Sequence, residues 1–214
     1  MAHLFGFMKV SVSKRWGPLV LISGWYLLGV TGIMNEIYFP RLEAVVISLW
    51  FELQHIETWT HIGFTIYRTL IAFGLASFFG VGLGLVLGIF PKIGKALDYI
   101  IDFFRSLPAP ALFPVSLLLF GVGEMAGIMV AAFMIFWIIL VYTISGIEQS
   151  KPIRTQVAEV FRASQWQRIG YVTLPESLPA IMTGLRISLP LSLMLIVVAE
   201  MFLGGANGLG QKLF

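Results

Sequence analysis

The chain contains no cysteine and few charged residues. The lack of cysteine in all 214 residues excludes disulfide bridges, thiolate metal ligands and cysteine nucleophiles. Charged residues make up 12% of the sequence and hydrophobic ones 58%, whereas about 25% of a soluble domain is charged. A globule of this size could form a core but could not cover its surface with so few charges. The composition therefore predicts an integral membrane protein.

Motifs for nucleotide binding, catalysis and metal binding are also lacking. The segment "GIFPKIGKA" has five residues between Gly88 and Gly94, with Ala96 after the lysine. A Walker A loop needs four residues and then a Ser or Thr after the lysine, so we do not expect this chain to bind ATP. No HExxH or GxSxG pattern is present, and the small, dispersed net charge of +3 does not imply nucleic acid. We expect no catalytic residue, no metal and no cofactor on this chain.

Long hydrophobic runs predict about five transmembrane helices in an all-α polytopic membrane protein. A bilayer core needs about 20 apolar residues in helical form. The third run, "RSLPAPALFPVSLLLF", is short and proline-rich, so we expect a kinked entry that begins near Ala96. With no repeat or linker, we expect one domain, 1–214, with an amino-terminal helix at about 17–34 and a core at about 61–210. The candidate spans are 17–34, 62–90, 105–121, 125–147 and 181–203.

Basic residues alternate between the segments that join these spans. The amino terminus and the segment 148–180 are rich in Lys and Arg, whereas 35–61 and the tail each have one. This alternation predicts five crossings with a cytoplasmic amino terminus. The basic start also imitates a signal peptide, but no small-x-small cleavage site follows, so we favour an uncleaved first span.

Small residues recur on one face of the second span. Gly80, Gly84 and Gly88 in "GVGLGLVLG" are four residues apart, a spacing that lets two helices approach closely in lipid. Internal helix packing is the favoured interpretation, and a dimer seam is the alternative.

Ionisable residues at membrane depth are candidates for a solute path. Each has a structural alternative: Arg105 could cap the inner end of the kinked span, and Glu124 could be solvated at the outer interface. Arg68 and Arg186 lie near span ends and could snorkel. The predicted path residues are Arg105, Ser106, Glu124 and Glu200.

A polar, basic segment, "QVAEVFRASQWQRIGYVTLP" (156–175), separates two apolar runs. Ser164 and Gln167 fit a capping box, which predicts a second short helix near Gln165, and Pro175 and Pro179 bracket the return into the membrane. A half-apolar loop of this kind can lie on lipid or dock in a groove of a soluble partner, and its pattern leaves both open.

The same segment resembles the EAA loop of ATP-binding-cassette importer permeases, which runs Glu-Ala-Ala, three residues, Gly, nine residues, Ile, one residue, Leu-Pro. Four further segments, "RTLIAFGLASFFGVGLGLVLGIF", "FFRSLPAPALFPVSLLLFGVGE", "LPESLPAIMTGLRISLPLSL" and "VVAEMFLGGANGLG", resemble in order the permeases for nitrate, sulfonate, taurine and related solutes. The resemblance covers about 61–210. It assigns ATPase coupling to Gln156, Ala158, Glu159, Phe161, Arg162, Ala163, Ser164, Leu174 and Pro175.

The resemblance implies a type I importer permease fold in a prokaryotic inner membrane. Two permease subunits, identical or different, would form a path for a small, anionic solute such as nitrate, bicarbonate, taurine or another sulfonate. Two separate cytoplasmic ATPases would hold ATP and Mg²⁺, an external binding protein would deliver the solute, and the loop would carry ATPase motion into the spans. The permease would lie in the lipid bilayer and would perform no covalent chemistry. A self-sufficient channel or secondary transporter, or a membrane enzyme, is the alternative.

Three features depart from the family pattern. Gln156 replaces the acidic residue of the triplet, and Arg162 stands at the glycine position. A left-handed Arg162 would cost about 1–2 kcal/mol, which predicts that the turn is built differently here. The sequence printed also stops at Phe214, before the hydrophobic helix that usually follows "GLG" in the family, which suggests a shortened subunit, a split gene product or half of a heteromer.

Overall fold

The structure, a computed structural model, describes residues 2–31, 39–149, 157–158, 160–203 and 207–213, with side chains from residue 16 onward. The elements it describes are all helices, in agreement with the all-α prediction. By its contacts the chain divides into two compact units, Met1–Trp59 and Thr60–Phe214.

The first unit contains α1 (Ala2–Thr31) and α2 (Leu42–Gln54). Among the residues of α1 with described side chains, Trp16–Thr31 is apolar, and the rest of the predicted span 17–34 lies outside the described residues. The indole Nε1 of Trp25 donates to the carbonyl of Pro40 at 3.0 Å. Helix α2 was not expected from the sequence and has no buried residue.

The second unit holds the remaining predicted spans. It contains most of α3 (Ile56–Ile89), then α4 (Pro91–Ser106), α5 (Ala109–Phe120) and α6 (Glu124–Glu148). A four-residue helix α7 (Gln165–Arg168), a π turn (Ile169–Thr173) and α8 (Leu174–Leu203) form one continuous apolar helix of 39 residues. A short α9 (Leu209–Lys212) ends the described chain.

The third crossing is broken, as the proline-rich run predicted. Helices α4 and α5 meet at a bend of 93°. The break lies at Leu107 and Pro108 because a residue before proline avoids the helical region, and Leu107 has an extended ψ of 130°. The crossing begins at Pro91, earlier than the expected start near Ala96.

The contacts of α3 and α6 show that these two helices run parallel. Gly80 faces Ile139, and Gly88, farther along α3, faces Ile147, farther along α6. The chain must therefore return between them, and α4 and α5 together make that crossing. Four of the five predicted crossings thus have counterparts in the second unit, and the fifth, at the amino terminus, stays a prediction.

Helix α6 is the centre of this unit. Ile135, Ile139 and Leu140 on it are fully buried. A Cβ atom built on Gly84 of α3 would lie 2.6 Å from the Cβ of Thr143 on α6, and one on Gly184 of α8 would lie 2.6 Å from the Cβ of Tyr142. The glycine face of α3 therefore serves internal helix packing, which confirms the favoured interpretation.

The final span begins earlier than the prolines suggested. A helix does start at Gln165, as predicted, but it continues into the last span without a second start. The amide of Leu174 pairs with the carbonyl of Ile169, five residues back, in the π turn that precedes Pro175. Such a wider turn can accommodate a residue with no amide hydrogen.

We expect Gly84→Val to destabilise the protein, because its added side chain meets Thr143 and the carbonyl of Leu140, at 3.0 Å from the Cβ position. Overpacking of this kind costs about 1–3 kcal/mol. The matched control is Gly82→Val, since a Cβ at Gly82 has nothing within 4 Å. Thermal unfolding in detergent should show a lower midpoint for Gly84→Val alone, and equal midpoints would contradict internal packing.

Candidate functional site

Arg68 joins three helices at one end of the second unit. It lies on α3 and is only 5% exposed. Its Nη1 donates to Glu200 Oε1 of α8 at 2.7 Å, and its Nη2 donates to Glu124 Oε1 of α6 at 2.7 Å. The interpretation of Arg68 as a snorkelling side chain is wrong, because carboxylates from two neighbouring helices meet it inside the protein. Arg186, by contrast, is exposed.

Glu200 receives donors from three directions. Besides Arg68, the hydroxyl of Thr65 lies 3.0 and 2.9 Å from its two oxygens, and the amide of Gly210 donates to Oε2 at 3.0 Å. A buried carboxylate is tolerated when it is paired and hydrogen-bonded in this way. Glu200 is only 8% exposed, so its charge is satisfied by the chain itself.

The segment before α9 folds back onto this cluster. The amide of Gly208 donates to Nδ1 of His61 at 2.9 Å, and the amide of Leu209 donates to the hydroxyl of Thr65 at 2.9 Å. Gly208 has φ +153°, and a Cβ there would collide with the Glu200 carboxylate. The "GLG" sequence therefore lets the backbone approach close enough to donate its amides.

The cluster is suited to holding helices together. One guanidinium faces two carboxylates, so the cluster as a whole has a formal charge of −1. This negative charge disfavours an anionic ligand. The adjoining cavity, lined in part by Arg68 and Glu200, holds about 20 Å³, enough for about one water molecule. Glu124 is 46% exposed at the rim. We call Arg68, Glu124, Glu200 and Thr65 the terminal clamp. The path role of Glu124 and Glu200 stays a prediction.

Arg105 and Ser106 lie elsewhere, at the end of α4. Both are exposed. Arg105 Nη1 is 3.3 Å from Asp102 Oδ1, and the Ser106 hydroxyl donates to the Phe103 carbonyl at 2.7 Å. The structure thus brings Glu124 and Glu200 together through Arg68 but does not join them to Arg105. The predicted path role of Arg105 and Ser106 also stays a prediction.

The predicted coupling loop contains a left-handed residue at the glycine position. Arg162 has φ +55° and stands alone among the described non-glycine residues in having a positive φ. The amide of Ala163 donates to the carbonyl of Ala158 at 3.0 Å, the outer bond of a Schellman helix end. The expectation that this turn is built differently is therefore wrong, since Arg162 takes the conformation that glycine adopts readily.

The predicted capping box follows directly and is confirmed. The Ser164 amide donates to Gln167 Oε1 at 2.8 Å, and the Gln167 amide donates to Ser164 Oγ at 3.3 Å. This cap starts the helix that continues as α8.

Large apolar side chains of the loop point away from the protein. Phe161 is 80% exposed, Trp166 77% and Tyr171 82%. Ala158, Ala163 and Leu174 are half-buried, and Ser164 and Pro175 are exposed. Of the predicted coupling residues, Gln156 and Glu159 lie outside the described residues.

The residues of the terminal clamp were only partly foreseen. Arg68, Glu124 and Glu200 were singled out as ionisable residues at depth. Thr65 of the clamp, like His61 beside it, carries no sequence signal that pairs it with the tail. Within the described chain, no group of three or more His, Asp or Glu side chains comes together as a metal site.

Residues 76–214 match the family model described as "Binding-protein-dependent transport system inner membrane component". The chain belongs to this family. It is thus a component of an inner-membrane transport system, and the family expectation drawn from the loop and its flanking segments is confirmed.

Two curated relatives and one solved structure are similar to this family member. The taurine transport system permease protein TauC of Escherichia coli is 28% identical over 196 residues, which cover 89% of this chain and 71% of TauC. The putative aliphatic sulfonates transport permease protein SsuC of Bacillus subtilis is 30% identical, over 94% of this chain and 75% of SsuC. A structure of the MetNI methionine ABC transporter in an inward-facing conformation aligns with TM-score 0.60 and 20% identity, over 74% of this chain and 81% of that one, and supports the permease fold.

We expect Arg68→Ala to destabilise the protein strongly, because it leaves the buried Glu200 carboxylate without its cation. Removing one partner of a buried ion pair costs about 3–5 kcal/mol. The control is Arg186→Ala, which removes an exposed arginine of α8. Thermal unfolding in detergent compares the two, and similar small shifts for both variants would show that the terminal clamp contributes little.

Proposed function

We propose that this chain is the transmembrane permease subunit of an ATP-driven importer for a small anionic solute of the nitrate, bicarbonate, taurine and sulfonate type. The loop at 150–176 receives motion from an ATPase in the cytoplasm and passes it to the spans. The observation that carries this proposal is the loop itself, in which exposed aromatic residues sit on a capped helix that continues across the unit.

Exposed aromatic side chains support a docked protein partner. Phe161, Trp166 and Tyr171 present apolar surface beside the polar residues of the loop. Large aromatic residues are over-represented among the residues that dominate binding energy at protein interfaces. A contiguous apolar patch rimmed by polar residues is typical of such a site.

The continuous helix supports transmission of that motion. From the Ser164 cap to Leu203 the chain is helical, through the π turn and without a loop. A helix rises about 1.5 Å per residue, so one element spans the distance between the loop and the terminal clamp. A displacement of the capped end therefore moves Glu200 and, through it, Arg68 and Glu124.

Charge and contacts support the orientation. The loop follows α6 at the end where Gly88 packs on Ile147, and this end also carries Lys92 and Lys95. Basic loops favour the cytoplasmic side. The terminal clamp is then at the outer side. Independently, Lys9, Lys14 and Arg15 assign the amino terminus to the cytoplasm by the same rule.

The assembly follows from the same proposal. A second permease subunit, identical or different, completes the path within the lipid of a prokaryotic inner membrane. Two ATPase subunits hold ATP and Mg²⁺, because this chain shows no phosphate-binding motif, and an external binding protein delivers the solute. Similarity to TauC and SsuC supports the solute class. We treat 1–214 as one transmembrane domain, with a helix at about 17–34 ahead of the core, and assign it no cofactor.

We expect Trp166→Asp to reduce retention of the ATPase subunit at least about tenfold, a loss of about 1.4 kcal/mol, because it places a charge in the apolar contact. Trp166 is 77% exposed, so the fold should survive. The measurement is the amount of coexpressed ATPase that copurifies with tagged permease in detergent. Full retention by a folded Trp166→Asp variant would reject the coupling role of the loop.

Two substitutions of Arg162 separate the turn from the charge. Arg162→Gly keeps the left-handed turn and should retain the ATPase, whereas Arg162→Val strains it, because β-branched residues rarely adopt positive φ. Both remove the same charge, so each controls for the other. If both variants lose the ATPase equally, the guanidinium and not the turn is needed for ATPase binding. If both retain it equally, the left-handed turn is dispensable.

A further inference from the structure

Helix α4 has three faces of different chemistry. Its buried face includes Gly94 and Ile101, and an exposed apolar face includes Ile93, Ile100 and Phe103. The third face is charged and exposed. Its residues recur every three or four positions, which places them on one side of the helix. We call these residues the charged stripe: Lys92, Lys95, Asp98, Asp102 and Arg105.

The contacts of α4 show how deep the charged stripe reaches. The loop end is the end of the second unit from which the 150–176 loop leaves α6. Near the start of α4, a Cβ on Gly94 would lie 3.1 Å from the carbonyl of Leu87, which is close to the loop end of α3. Near its finish, the ring of Phe104 stacks on Trp137 with centroids 5.1 Å apart. Trp137 lies at the middle of α6 (Glu124–Glu148). Helix α4 therefore runs from the loop end of the unit to about half the depth of the span.

A charged stripe at this depth is strongly disfavoured on a lipid-facing surface. A charged side chain at the centre of a bilayer costs about 2.5–3.5 kcal/mol even on the most permissive scale. Lysines near the loop end can reach the headgroups, but Asp102 is short and lies only two residues before Phe104, about half a helical turn. The neighbouring apolar face, with Ile100 and Phe103, is the one suited to lipid.

We propose that the charged stripe of α4 lines a water-filled passage in the loop-side half of the solute path. This inference rests on the proposed importer function and deepens it by assigning Lys95, Asp98 and Asp102 to the passage beside Arg105. The ion pair of Asp102 with Arg105, at 3.3 Å, has side chains 75% and 45% exposed, so it is open to solvent.

The order of charges indicates what the passage does. Two cations at the loop end are followed by two carboxylates and then by Arg105 at mid-depth. Mixed charges of this kind keep a surface hydrated without building a strong field of one sign. The passage therefore suits the release of a small polar solute with its water, and it does not hold an anion tightly.

Cysteine labelling tests this directly, because the natural chain has no cysteine. Asp98→Cys and Asp102→Cys place thiols on the charged stripe, and Ile100→Cys and Phe103→Cys place matched thiols on the apolar face of the same turns. The assembled importer is reconstituted in vesicles and treated from the loop side with a charged, membrane-impermeant maleimide. The thiolate is the reacting form, and it is disfavoured in apolar surroundings, so the stripe cysteines should react at least about tenfold faster.

Equal or slower labelling of both stripe positions would overturn the inference. If one aspartate variant fails to accumulate, the other decides the result alone. ATPase retention is measured in the same preparations. Unreactive stripe thiols with normal retention reject the passage only, whereas reactive thiols without any ATPase retention reject the proposed importer function only.

Discussion

Close contact of α6 with α3 and α8 is the constraint on which the second unit depends. Lipid tails are as apolar as the side chains they surround, so burial from water does not drive these helices together. The helices must therefore be held together by close van der Waals packing, which glycine permits because it has no side chain. Gly84 of α3 packs on Thr143 of α6, and Gly184 of α8 packs on Tyr142 of α6. Only this short separation brings Glu200 of α8 within reach of Arg68 on α3.

Two specialised regions occupy opposite ends of one helix. The capped turn at Ser164 begins it, and Glu200 ends it in the terminal clamp. The helix between them has no internal loop and contains the π turn, Pro179 and Pro190. Breaking the ion pairs of the clamp would leave buried charges without partners, so the paired arrangement is strongly favoured. A continuous helix between the loop and the clamp supports the coupling role proposed for the loop.

Local chemistry explains which features the sequence predicted well. The capping box of Ser164 and Gln167 depends on residues three positions apart, and the break before Pro108 depends on two neighbours. The left-handed conformation at Arg162 follows from its place at the helix end, although the expected cost argued for another turn. By contrast, nothing local indicated that Glu200 pairs with Arg68, because the two residues are 132 positions apart in the sequence.

The sequence by itself determined the membrane character, the order of the crossings and the position of the loop, because hydrophobicity, basic charge and caps act over short stretches of chain. Tertiary structure alone decided that Arg68 is buried rather than snorkelling and that the charged stripe of α4 reaches mid-depth. It also decided that the tail is held by Gly208 on His61 and by Gly210 on Glu200. These outcomes depend on which helices lie side by side. That is set by the three-dimensional fit of small residues, and a periodic pattern cannot encode it.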